Sequence, residues 1–203
     1  MSEQKMIIKN PVCDFVVENY EAIQALKKCE ETAKKMVPGW VRRKLKQILD
    51  SKLDGKWQVD EEEDKGVHYN QLSNETYYKD KDEVGYYFYI GDFTLEEFAA
   101  DDEDDGCLVY LCCDFSRKKK QEWKDWNDAV RAKIKKNKSK LAKSGYILYL
   151  DDEDENLVAK ELLNDLNIKA LAEDPEKSIE KTADSVIKFV NDMSEYLVAL
   201  PEE

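Results

Sequence analysis

His68 is the only histidine in the chain. With one imidazole and no Cys-x-x-Cys pair, a zinc centre has too few ligands. Nucleophilic catalysis by a Ser-His or Cys-His pair would have to be built on that same side chain, which sits in "VHYN", a strand-like setting. Glycine is scarce as well, seven residues of 203, and no glycine-rich loop precedes a helical pattern, so the phosphate-cradling nucleotide motifs are missing. No run approaches the roughly 20 apolar residues of a membrane span. The first residues, "MSEQKMIIKN", lack the apolar core of a secretory signal, and the reading is a soluble cytoplasmic protein. With no internal repeat and no Gly/Ser/Pro-rich linker, residues 1–203 are expected to form a single α+β domain. The five cysteines are odd in number. Cys112 and Cys113 are adjacent and would point to opposite faces of a strand, so reduced, mostly buried thiols are expected.

What the chain has in excess is charge, and it is segregated. Charged residues make up 38% of the sequence and the net charge is -13, which favours solubility and opposes anionic partners on average. By segment the net charge runs +4 over 1–59, -14 over 60–113, +8 over 114–143 and -11 over 144–203.

Apolar residues recur at helical spacing from Pro11 to about Val37, with Asn10 placed to cap and Pro11 at the first helical position. The pattern restarts after Pro38 with Val41, Leu45, Ile48 and Leu49 on one face, predicting a second helix roughly antiparallel to the first. After Gly55 the period changes to two. "KWQV", "VHYNQL", "ETYYK", "GYYFYIGDF" and "CLVYLCCDF" are short, aromatic and β-branched, as a strand meander requires, and their short connections favour antiparallel neighbours. A third helical pattern over 117–143 carries the apolar stripe Trp126, Val130, Ile134 and Leu141. "GYILYL" reads as an inner strand, parallel to its predecessor if the helix is a crossover. Two helices are expected to close the chain, one over about Glu155–Leu166 and one starting at Pro175 with Asp174 as its cap. The fold class is therefore α+β: two N-terminal helices, a mainly antiparallel sheet of five or six strands, and three C-terminal helices packed on it. The expected core is Phe15, Ile23, Leu26, Leu45, Tyr87, Tyr89, Val109, Leu111, Trp126, Ile147, Ile187 and Val190.

Two acidic clusters invite a metal. In "DDEDDGCLVYLC", Asp101, Glu103 and Asp105 occupy the first, third and fifth positions of an EF-hand loop, with Gly106 at the sharp turn. The twelfth position is Cys112 where a bidentate Glu is needed, and "CLVYLCC" reads as a strand, not an exiting helix. An exposed acidic turn accounts for the segment. Asp151, Asp152 and Asp154, at the end of "YILYL", sit where magnesium-dependent enzymes place ligands, but negative charge ahead of a helix is also favoured by its dipole. Glu63-x-Lys65 in "EEEDK" matches the E-x-K half of a nuclease metal centre, in what reads as a charged turn. Asp92 and Asp114 are the available partner carboxylates, and no lysine stands two residues after Asp114. No cofactor is implied beyond weak divalent-cation binding at the acidic clusters.

The basic segment carries the strongest binding signal. Lys124, Arg131, Lys133, Lys135 and Lys136, with Trp123 beside them, have the composition to follow a phosphate backbone and stack a base, against the opposing charge of the rest of the molecule. The same residues suit an acidic protein surface. Conversely, Asp and Glu interleaved with Tyr and Trp match an acidic mimic of nucleic acid that fills another protein's basic groove.

The run "ENYEAIQALKKCEETAKKM…WVRRKLKQIL…KWQV…VHYNQL…YYFYIGDF…CLVYLCCDF", about residues 14 to 115, resembles the region that follows the catalytic core in some bacterial PD-(D/E)XK-type nuclease family proteins. Both have helices followed by Trp-bearing, Tyr-rich strands that end in a Y-I-G pattern. The catalytic Asp and E-x-K strands of that family are not found, so the resemblance implies an accessory module and no activity. The expectation is a non-enzymatic intracellular protein-binding or regulatory module acting through its acidic and basic faces. The alternatives are a metal-dependent hydrolase or nuclease using the acidic clusters, and nucleic-acid binding through 117–143.

Overall fold

The computed structural model describes residues 19–64, 67–79, 84–100, 106–114, 121–150 and 157–201. The chain divides into two compact units, 1–37 and 38–203. Among the described residues it holds six helices and seven strands, all the strands in one antiparallel sheet, so the fold is α+β.

In the first unit the described residues Tyr20–Val37 are helical, within α1 (Tyr20–Lys52). Their helix is held locally, by an i,i+4 pair between Lys34 and Glu30 at 3.2 Å and a hydrogen bond from Thr32 Oγ1 to the Lys28 carbonyl. Leu26 is 69% exposed, so its expected place in the core is corrected. Asn10, Pro11 and Phe15 lie outside the described residues. The break expected at Pro38 is not there either, because helical backbone is assigned on both sides of it. An interior proline costs a helix about 3 kcal/mol. Here the burial of Val41, Leu45 and Leu49, all at 0% exposure, gives the following turns a compensating reason to stay helical.

The second unit is a sheet with its long helices on one face. The strands are β1 (Gln58–Asp64), β2 (Val67–Ser73), β3 (Tyr78–Lys79), β4 (Val84–Phe93), β5 (Leu108–Asp114), β6 (Ile147–Leu148) and β7 (Leu157–Leu162). The main order is β1-β2-β4-β5-β7-β6, with β3 paired to β4. Side chains alternate across a strand, and β4 shows which parity is the core: Val84, Tyr86, Phe88 and Ile90 are fully buried. Phe88 meets Phe189 of α6 (Pro175–Ser194) at 5.9 Å, and Tyr86 meets Trp126 of α3 (Gln121–Lys136) at 5.0 Å. The turns of α1 after Pro38 join the same face, where the Asn70 side-chain amide donates to the Arg42 carbonyl at 3.2 Å. Tyr87 and Tyr89, expected in the core, lie on the opposite face and are half-buried.

Several expectations hold. The stripe Trp126, Val130, Ile134 and Leu141 is buried, although the helix breaks at Asn137 into α3 and α4 (Lys138–Lys143). Asp174 caps α6 with its carboxylate accepting from the Lys177 amide, and Pro175 opens the helix. Cys113 is buried while Cys112, on the other face, is half-buried. Two readings near the C-terminus are corrected. Residues expected to be helical from Glu155 contain the strand β7, which pairs β5 on one side and β6 on the other, both antiparallel. "GYILYL" supplies only the two-residue edge strand β6, antiparallel and with Ile147 45% exposed. The "EEED" run taken for a turn is the second half of β1. Short helices α2 (Leu95–Ala99) and α5 (Ile168–Glu173) complete the unit, each opened by a side-chain cap, Thr94 and Asn167.

Candidate binding surfaces

The six carboxylates proposed as metal ligands, Asp101, Glu103, Asp105, Asp151, Asp152 and Asp154, all lie outside the described residues. Their flanks are described, and they bear on both readings. Gly106 has φ +138°, the left-handed region that favours glycine. The chain then enters β5, so the exiting helix of an EF-hand is absent. After the second cluster the described chain runs as β7 from Leu157 to Leu162, where the helix that the acids at 151–155 were expected to cap was placed. Among the described residues, no group of three or more His, Cys, Asp or Glu is placed to hold a metal. His68 lies on β2 opposite Phe93, and Asp114 ends β5. Lys65 and the side chains of Glu63 and Asp92 lie outside the described residues.

The basic segment divides into structural and exposed members. Trp123 is 2% exposed and packs edge-on against Trp126 at 5.7 Å, so it is not available to stack a base. Arg131 donates to the Tyr149 carbonyl at 2.8 Å, tying α3 to the segment after β6. Lys124, Lys133, Lys135 and Lys136 are exposed, and α4 adds exposed Lys138, Lys140 and Lys143. From Ala129 to Gly145 the chain has seven basic residues and no acidic one. The reason is local. Positive charge in the last turns of α3 is favoured by the negative helix end, as Glu122 is at its start. Lys140 approaches Glu195 at 4.0 Å with both side chains mostly in water, a pair too weak to neutralise the patch.

Behind this surface two polar clusters are built into the packing. Tyr86 donates its hydroxyl to Asn127 Oδ1, to which Cys113 Sγ also donates at 3.6 Å. Burial pushes the Cys113 thiol up to about 12 and the Tyr86 hydroxyl well above its usual range, so neither is a reactive anion. At the other cluster Lys188 Nζ donates to Tyr146 Oη at 2.9 Å, and Tyr146 donates in turn to Asp192. Glu161 on β7 shares this region; burial raises its carboxyl above the ordinary value, Lys188 opposes the shift, and its Oε2 is buried with no hydrogen-bond partner.

The face of the sheet opposite the long helices is aromatic. Tyr69 stacks on Tyr89 with ring centroids 4.5 Å apart and planes 26° off parallel, and Tyr89 meets Tyr110 edge-on at 5.7 Å. The Tyr89 ring lies along its strand over Gly91, where an added Cβ would fall 2.3 Å from Cε1 of that ring. Burial raises the Tyr87 hydroxyl far above its usual range. Sequence reasoning placed two of these tyrosines in the core and did not assemble the group.

Open clefts also mark the surface. One of about 820 Å³ lies between Gly55–Gln58 and the turn from Ser73 to Thr76. One of about 280 Å³ lies between α2 and α5, lined by Phe98, Leu163 and Ile168 among others. Among the described residues, no helix is long and apolar enough to cross a membrane. Comparison with family models, curated proteins and solved structures finds no match.

Proposed function

We propose that this chain is a non-enzymatic binding module that engages another protein, and that its lysine surface on α3 and α4 docks an acidic segment of that partner. The observation that carries the reading is the acid-free run from Ala129 to Gly145, with its lysines exposed. A concentration of charge of one sign in an otherwise acidic molecule steers a complementary partner to one place on the surface. A protein partner is favoured over a nucleic acid for two reasons. The chain outside 114–143 carries a net -21, and a duplex with a charge about every 1.7 Å of axis would extend past the patch into that field. Trp123, the aromatic residue expected to stack a base, is buried.

The test uses the whole chain against two labelled probes, a short glutamate-rich peptide and a single-stranded DNA, followed by fluorescence anisotropy as salt is raised. The peptide is expected to bind at low salt and to lose binding when Lys133, Lys135 and Lys136 all become Glu. Tighter binding of the DNA, with a steep salt dependence, would replace this reading with the nucleic-acid one. Indifference to both probes at low salt would remove it.

A further inference from the structure

We propose that the face of the sheet opposite the long helices is a second docking surface, one that takes an arginine-bearing polypeptide segment. It is separate from the lysine surface and opposite in charge. The strand register builds it. Asp60 of β1 pairs with Gln71 of β2, Gln71 with Tyr89 of β4, and Tyr89 with Tyr110 of β5. Residues paired across an antiparallel ladder share a face, so these four form one row, about 14 Å long at the usual strand spacing. Beside it Glu62 is paired with Tyr69, and Asp114 closes the far end of β5 opposite Gly85. Tyr69, Tyr89 and Tyr110 are in ring contact with one another and remain half-exposed.

Charge and shape together select the occupant. On β1, β2, β4 and β5 the described positions of this face carry the carboxylates Asp60, Glu62 and Asp114; one cation, Lys160 of β7, is paired with Tyr110 at the end of the row, with its Nζ 5.7 Å from the Tyr149 ring centroid. Aromatic rings with anions at their margin suit a cation that is also flat. The guanidinium group stacks on an aromatic face and presents a planar fork of donors to a carboxylate, whereas an ammonium is a strongly hydrated point charge. Nucleic acid fits poorly, since the same rings that would stack bases are bordered by like charge. A second copy of this chain is opposed by the net -13 on each molecule.

Gly91 supplies a perturbation that removes no tyrosine and no charge. It has no left-handed φ, so alanine suits the backbone there, but its Cβ would displace the Tyr89 ring from over the strand. The experiment measures anisotropy of two labelled peptides of equal length and charge, one with arginine as its only cation and one with lysine, against the whole chain. The arginine peptide is expected to bind about three- to tenfold more tightly than the lysine peptide. Tyr89→Ala and Gly91→Ala should each erase most of that preference, and Asp60→Asn with Glu62→Gln should weaken both peptides. Thermal melts of each variant separate a lost surface from a lost fold, and Gly91→Ala keeps the test open if Tyr89→Ala unfolds. Equal binding of the two peptides, or a preference that survives both Tyr89→Ala and Gly91→Ala, overturns the proposal. So does self-association of the wild-type chain that Tyr89→Ala abolishes, which would make this face an interface between copies.

Discussion

Phe88 and Tyr89 are neighbours in sequence and belong to opposite faces of the sheet, so replacing each by alanine tests the face assignment on which the proposed aromatic surface depends. Phe88 is fully buried and meets two aromatic rings edge-on, Trp57 at 5.3 Å and Phe189 at 5.9 Å. Truncating a core phenylalanine costs ~3–5 kcal/mol, a sum of lost transfer energy and the cavity left behind. For a chain of this size that lowers Tm by about 6–20 °C. Tyr89 loses a stacked and an edge-on contact, each worth ~0.5–1.5 kcal/mol beyond area, but its ring is only partly buried. A cost of ~1–2 kcal/mol follows, with a Tm change of about 2–8 °C. Urea denaturation followed by fluorescence and by circular dichroism gives both numbers, and unchanged m-values would show that the unfolded states are comparable. If Tyr89→Ala costs as much as Phe88→Ala, Tyr89 is as buried as the core and the partly exposed tyrosine platform ceases to exist.

Glu161 carries a penalty with a definite pH signature. Its carboxyl is raised in the folded chain, chiefly by burial. The native state therefore holds its proton to higher pH than the unfolded state, and stability falls as pH rises from the ordinary glutamate value of about 4.3 to the folded one. Glu161→Gln is expected to be more stable than wild type at pH 7, with the gain shrinking toward pH 4; urea melts across that range check it, and a uniform loss of stability contradicts the cause assigned. Tyr86→Phe should cost ~1–2 kcal/mol, since it removes the hydroxyl donor to Asn127 inside the core and leaves that oxygen with only the weak Cys113 thiol. A phenylalanine variant as stable as wild type would mean that the buried trio contributes nothing.

Local signals were legible where a single residue type is required by backbone chemistry. Asp174 followed by Pro175 marks the start of α6 because a carboxylate can accept from an open amide and proline has no donor to lose there. The stripe from Trp126 to Leu141 needs only the 3.6 period, and it is buried. The face of β4 was not legible, because "YYFYI" is aromatic or apolar at both parities and the alternation that normally marks a core face is missing. In β7 the sequence "LVAKELL" is rich in good helix formers, and propensity is a weak prior against pairing on both edges. Ala159 sits opposite Leu111 of β5 and Leu148 of β6, and a strand there completes the ladder of β5.

The two surfaces differ in the same respect. The lysine surface is local, since neighbouring residues on α3 and α4 make it and any scan of charge along the chain finds it. The acidic aromatic face is assembled from Asp60, Tyr69, Tyr89, Tyr110 and Asp114, spread over more than fifty positions of sequence. In the linear sequence those carboxylates sit among others that belong to turns and helix starts, and lysines such as Lys79 and Lys118 lie close by. Only register separates them. Pairing Asp60 with Gln71 and Tyr89 with Tyr110 puts one parity of four strands on one side, and a slip of one residue in any strand would move its contribution to the helix face. Net charge over 60–113 therefore overstates what this face carries and says nothing of its rings. What an arginine side chain would meet there is three carboxylates at the margin of three tyrosines, with Lys160 beyond Tyr110 at one end, an arrangement fixed by hydrogen-bonded strands and so held in place before any partner arrives.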